Sequence, residues 1–161
     1  MTNLEALLRA LAGSNVEFLI VGGVAAGIHG SVRATTDVDL LYSRVPVNLD
    51  HLASALAGAH PYLRGAPAGL PFRWDAKTLR RGLNFTLVTD FGDVDLLGEI
   101  VGGGTYEDLK DQTIRVRIFG VECLCLDLAT LIHVKRAAGR PKDLEAIAEL
   151  EKLLELKERQ S

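Results

Sequence analysis

Cysteine is nearly absent from this chain: 161 residues carry two, Cys123 and Cys125. That number builds no disulfide framework. One residue apart on an expected strand, the two thiols share a face in a geometry poorly suited to bridging each other. No histidine stands at metal-ligand spacing to them, so they read as small apolar fillers. Charge of one sign is not in excess either. Eighteen Lys+Arg against 21 Asp+Glu give a formal net charge of −3, which excludes whole-surface attraction to nucleic acid or anionic membrane but leaves a local basic patch open. Long apolar runs are missing as well. The longest uncharged stretch, Phe18 to Val32, is broken by four glycines and His29 and is too short to cross a bilayer. Glu5 and Arg9 interrupt the apolar pattern of the first fifteen residues, unlike a signal peptide. The expected location is the cytoplasm, with no membrane partner. Repeats and low-complexity segments are absent too.

What is present is ordinary globular composition, 48% hydrophobic and 24% charged. The length suits a single domain over residues 1–161 that buries roughly two-thirds of its unfolded surface without staples. Leu4, Leu7, Leu8 and Leu11 fall at helical spacing, stopped by Gly13. Glu17 to Val21 reads as a buried strand running into Gly22-Gly23, then a small-residue helix from Val24 to Ile28 and a second strand from Val38 to Tyr42. Asn48 is expected to cap a helix with the stripe Leu49, Leu52, Ala53 and Leu56. Residues 58–74 hold three of the five prolines (Pro61, Pro67, Pro71). No long helix crosses them, and they are either a plain surface loop or a place for substrate selection. Asp75 to Arg81 reads as a short helix. Leu83–Thr89 with Val94–Leu97, and Ile114–Ile118 with Val121–Leu126, read as hairpins. Asp127 is expected to cap a helix from Leu128 to Ala138, closed by Gly139, and a last helix from Asp143 to Lys157 is expected to bury Leu144, Ile147, Leu150 and Leu154. The alternation predicts an α/β (α+β) chain: a mixed β-sheet with helices packed on it, ending in C-terminal helices.

Three features carry chemistry. Val21-Gly22-Gly23 places two glycines between strand and helix, where backbone N–H groups can approach a phosphate. Asp37-Val38-Asp39-Leu40 puts two carboxylates on one face of a strand while Val38 and Leu40 enter the core. Such oxygen donors suit Mg²⁺ or Mn²⁺. Gly92-Asp93-Val94-Asp95-Leu96-Leu97 holds Asp95 between apolar anchors in the same way. Each acid alone reads as a solvated strand end; the combination does not.

The order hydrophobic-Gly-Gly, thirteen intervening residues, Asp-Val-Asp-Leu and later Val-Asp-Leu resembles the nucleotidyltransferase superfamily that includes DNA polymerase β. Gly22 through Gly30, Arg33-Ala34-Thr35-Thr36-Asp37, Leu131 through Arg136 and Gly139-Arg140-Pro141-Lys142-Asp143 are similar to small prokaryotic nucleotidyltransferases of the minimal and abortive-infection toxin-like groups. The resemblance runs from about residue 17 to 150. It implies a nucleotidyltransferase fold in which Asp37, Asp39 and Asp95 are catalytic and hold two divalent ions, Asp95 being the acid most tied to activating the acceptor. It implies that Gly22, Gly23, Arg33, Thr36, Lys135 and Arg140 bind the nucleotide, with Gly23 standing where many relatives have serine. It implies transfer of a nucleoside monophosphate from an NTP (ATP or CTP foremost) to an acceptor hydroxyl on tRNA or protein, releasing pyrophosphate. The alternatives are a non-catalytic module of the same fold that binds a cognate partner in a toxin–antitoxin type system, and a metal-dependent nuclease. Arg33, Thr35 and Thr36 read equally as a solvated loop. Lys135 alternatively snorkels to water, and Arg140 alternatively caps a helix end. Trp74 with Arg73, Arg80 and Arg81 either meets a nucleic-acid acceptor or, for the tryptophan, anchors a core.

Overall fold

Asn3 accepts a hydrogen bond from the Ala6 N–H and so opens α1 (Leu4–Gly13), whose Leu7, Leu8 and Leu11 are fully buried. β1 (Phe18–Val21) follows, buried at all four residues, and runs directly into α2 (Gly22–Ile28). Gly22 and Gly23 therefore form the first turn of that helix rather than a turn ahead of it. The computed structural model describes residues 2–33 and 37–160, so the expectations for Ala34, Thr35 and Thr36 lie outside the described residues.

β2 (Val38–Tyr42) returns antiparallel to β1. The next helix, α3 (Pro46–Ala57), corrects the sequence reading at its start. Pro46 takes the first helical position, where its missing N–H leaves nothing unpaired, and Asn48 lies inside the helix. The Asn48 side chain, buried, serves a different purpose. Its Oδ1 accepts from the Glu17 N–H (2.7 Å), while its Nδ2 donates to Glu17 O (3.0 Å) and Ser43 O (2.7 Å). It thus ties the entrance of β1 to the exit of β2.

Inside the irregular stretch 58–74 the structure adds a two-residue edge strand, β3 (Tyr62–Leu63). Trp74 anchors the end of that stretch by donating to Ala53 O at 2.9 Å, so the core alternative holds for the tryptophan. α4 (Ala76–Arg81) is capped by Asp75, and β4 (Phe85–Thr89) with β5 (Gly92–Leu97) forms the expected hairpin. After the short α5 (Tyr106–Leu109), β6 (Thr113–Ile118) and β7 (Val121–Leu126) form the second hairpin. Cys123 and Cys125 are free and buried on it. Asp127 caps α6 (Leu128–Ala138), and Gly139 closes it in the left-handed conformation at φ 66°.

The last helix, α7 (Pro141–Gln160), starts two residues earlier than expected and buries Asp143, Ala146, Ile147 and Leu150. Leu144 is 54% exposed, a second correction: the buried stripe runs through Asp143 in its place. α7 is also pinned at its far end. His29 Nε2 contacts Leu126 O at 2.8 Å and its Nδ1 lies 2.7 Å from Lys157 Nζ.

Among the described residues the seven strands form one sheet in the order β3-β4-β5-β2-β1-β7-β6. The β2–β5 and β1–β7 pairs are parallel and the rest antiparallel. With its helices this is a mixed α/β architecture. No helix among the described residues is long and apolar enough to cross a membrane.

Candidate functional site

β2 and β5 are far apart in sequence, yet their parallel register sets Val38 opposite Val94, Asp39 opposite Asp95 and Leu40 opposite Leu96. Val38, Leu40, Val94 and Leu96 are buried, which sends Asp39 and Asp95 out of the opposite face as neighbours on adjacent strands. The two carboxyl groups are close enough to share a hydrogen bond. Burial, reinforced by Asp95 and then by the charge of Asp37, pushes the Asp39 carboxyl up to about 7 against a partial offset from Lys142.

Gly22 meets this pair from the other side. Its φ of 66° lies in the left-handed region, and a Cβ on it would collide with the Asp39 Oδ2 atom. The glycine is thus required by the aspartate, a coupling invisible in spacing alone. Gly23 has no positive φ.

Gly22, Gly23, Arg33, Asp37, Asp39, Lys135 and Arg140 line one cleft of about 320 Å³, together with Lys142 and Asp143. Seven of the residues expected from sequence therefore converge. Asp95 stands outside the lining of that cleft, on the far side of Asp39, where Arg64 Nη2 lies 2.8 Å from its Oδ1. Arg33 reaches the cleft from a tether to α7, its Nη2 donating to Glu145 O and its Nε lying 3.8 Å from Glu149 Oε1.

The cationic wall is organised by an acid to which the sequence alone assigns no role. Asp143, 3% exposed, accepts from Arg140 Nε at 2.6 Å and Nη2 at 3.2 Å, with Lys135 Nζ 3.9 Å away. Burial opposes its ionisation, but the Arg140 hydrogen bonds and the charges of Arg140 and Lys135 outweigh that and hold its pKa below the usual carboxylate range. Lys135 itself is 14% exposed on its side chain and does not snorkel to water. Burial drives its pKa down, opposed by Asp143. Arg140 engages Asp143 rather than the closing carbonyls of α6, so the capping alternative does not hold. The hint available in sequence was an acid three residues after Arg140 and eight after Lys135. For Arg64 there was none: it lies in a proline-interrupted loop and belongs to no motif.

Among the described residues no three histidine, cysteine, aspartate or glutamate side chains form a finished cation cage. The donors nonetheless suit a hard divalent cation. Asp37, Asp39 and Asp95 offer carboxylate oxygens alone, and the Asp39 pKa is raised first by burial and then by Asp95 and Asp37, a cost that a bound cation would relieve. Set beside family models and curated proteins, the chain matches none.

Proposed function

We propose that this chain is a divalent-cation-dependent nucleotidyltransferase, moving a nucleoside monophosphate from an NTP to an acceptor hydroxyl. In that reaction the acceptor oxygen bonds to the α-phosphorus as the bond to the bridging oxygen of the β-phosphate breaks. Pyrophosphate leaves and the hydroxyl proton passes to solvent water. The observation that carries the reading is the in-register Asp39–Asp95 pair with Gly22 packed against it, at the rim of a cleft walled by Lys135, Arg140 and Lys142. It is reinforced by the resemblance of those same residues to nucleotidyltransferases.

Asp37, Asp39 and Asp95 would hold Mg²⁺ or Mn²⁺. Bound there, the cation supplies charge neutralisation on the entering and leaving oxygens of an in-line displacement. The protein's own residues do the remainder. Lys135, Arg140 and Lys142 offset triphosphate charge, Asp143 keeps the first two aimed into the cleft, and Gly22-Gly23 keep side chains out of the phosphates' way. Asp95, off the nucleotide cleft and beside Arg64, would serve the acceptor hydroxyl. ATP and CTP are the leading donors, and a tRNA or protein hydroxyl is the acceptor class.

One observation favours the alternative of a non-catalytic partner-binding module in a toxin–antitoxin type system. Arg64 already supplies Asp95 with a positive charge from the protein itself. The two readings part on a direct assay. Purified protein, Mg²⁺ and each NTP in turn, with cell extract as acceptor source, should release pyrophosphate in the wild type. Asp37→Asn, Asp39→Asn and Asp95→Asn should each abolish it while leaving the fold intact. Release that is absent throughout, or unchanged in all three variants, refutes the catalytic reading.

A further inference from the structure

Arg64 sits one residue beyond β3, and its N–H donates to Thr86 O at 3.0 Å, extending the β3–β4 ladder by a step. Thr86 lies opposite Asp95, and Asp95 opposite Asp39. Arg64, Thr86, Asp95 and Asp39 therefore form one row across four strands on a single face.

The guanidinium is fastened at one point and only loosely matched elsewhere. Nη2 donates to Leu87 O at 2.8 Å and lies at the same distance from Asp95 Oδ1, while Nε lies 3.4 Å from Asp93 Oδ2. Arginine and carboxylate pair best through two parallel, aligned N–H···O bonds. Here both Arg64 Nε and Asp95 Oδ1 are buried without an aligned hydrogen-bond partner. Charge is matched at Asp95, but hydrogen-bonding directions are not. That arrangement suits a positive charge more than it suits the planar fork of an arginine.

We propose that Arg64 is a displaceable counter-charge. It neutralises Asp95 while the cation site is empty, and it competes with a divalent cation for that carboxylate. The inference rests on reading Asp95 as a cation ligand. A guanidinium and a divalent ion on one carboxylate repel strongly in a half-buried setting. The side chain has a way out: it is 27% exposed, and Asp93, 40% exposed, offers a second carboxylate on the solvent side. Competition keeps the site weak for a bare cation and reserves tight occupancy for a cation that arrives with a triphosphate, whose own charge tips the exchange. Arg64 thus couples metal occupancy to the presence of the nucleotide.

The test is calorimetric titration of MnCl₂ into metal-free wild type, Arg64→Gln, Arg64→Met, Arg64→Lys and the double variant Arg64→Gln/Asp95→Asn, alongside thermal melts with and without Mn²⁺. Arg64→Gln and Arg64→Met should bind Mn²⁺ about tenfold or more tightly than wild type. Arg64→Lys, which keeps the charge, should stay near wild type, and adding Asp95→Asn should erase the gain. The two neutral variants should melt lower without cation and draw level with wild type at saturating Mn²⁺. A purely structural arginine gives the same loss in both melts and no change in Mn²⁺ affinity. Measurable but equal affinities in wild type and both neutral variants overturn the counter-charge alone. Absence of Mn²⁺ binding in every protein overturns the cation site together with it.

Discussion

Removing the charge of Asp39 should stabilise the metal-free protein near neutral pH. Its carboxyl is pushed from 3.8 up to about 7, first by burial and then by Asp95 and Asp37. Below about pH 4 the group is protonated in both folded and unfolded chains. Between about pH 4 and 7 the unfolded chain gives up the proton while the folded one keeps it, so folding stability falls as pH rises and levels off above about 7. At about 1.36 kcal/mol per pKa unit, the penalty at neutral pH approaches about 4 kcal/mol. Asp39→Asn keeps the shape and can still hydrogen-bond Asp95, but it has no proton to lose. The variant should therefore gain about 2–4 kcal/mol near neutral pH, a rise of roughly 5–15 °C in Tm for a chain of this size, with little gain near pH 4. Urea denaturation in EDTA across that range measures it. Adding Mn²⁺ should stabilise wild type and leave Asp39→Asn unmoved. A variant less stable than wild type at neutral pH, or a wild type whose stability does not fall between pH 4 and 7, would refute the reasoning.

Gly22→Ala should displace the Asp39 carboxylate and weaken binding of a non-hydrolysable NTP with Mg²⁺ strongly, whereas Gly23→Ser, at an ordinary φ, should be tolerated; calorimetry reads both. Lys135→Met keeps the apolar stem and the helix while removing one charge from the cleft. It should lower Tm, because buried Asp143 then keeps only Arg140 as counter-charge, and lose about ten- to a hundred-fold in NTP affinity in the folded protein, since a charge-assisted hydrogen bond is worth roughly 1.5–3 kcal/mol; unchanged affinity would remove Lys135 from the site. Asn48→Ala leaves the Glu17 N–H and C=O and the Ser43 carbonyl without their partner in a buried setting. It should destabilise the fold by about 2–4 kcal/mol in denaturant titration without altering nucleotide binding in the protein that remains folded.

How far sequence reading reached follows from how local each signal is. α6 was readable at both ends because its cap Asp127 and its left-handed Gly139 act on their own turn of backbone. Asn48 was misread because its partners, Glu17 and Ser43, belong to other elements, while the unremarkable Pro46 starts the helix. Leu144 was misread for a related reason. An aspartate was not expected on a buried stripe, and Asp143 can occupy it only because Arg140 and Lys135 neutralise it there. The apolar anchors around Asp39 and Asp95 announced two strands with acids on one face, but not that those strands pair in parallel with the acids in register. Gly22 was singled out for phosphates, yet its most direct constraint in the folded chain is the Asp39 carboxylate. Arg64 carried no local mark at all, since its meaning comes from a two-residue edge strand that places it in line with Asp95.

In the proposed reaction the α-phosphoryl group, with its nucleoside, passes from NTP to an acceptor. Parallel reactions with α-labelled and γ-labelled NTP, Mg²⁺ and cell extract, run with wild type and with Asp39→Asn, test it most directly. Label from the α-position should appear in an RNA or protein acceptor with wild type only, and label from the γ-position in pyrophosphate. Incorporation of the γ-label, or α-label incorporation equal in Asp39→Asn and wild type, would contradict it.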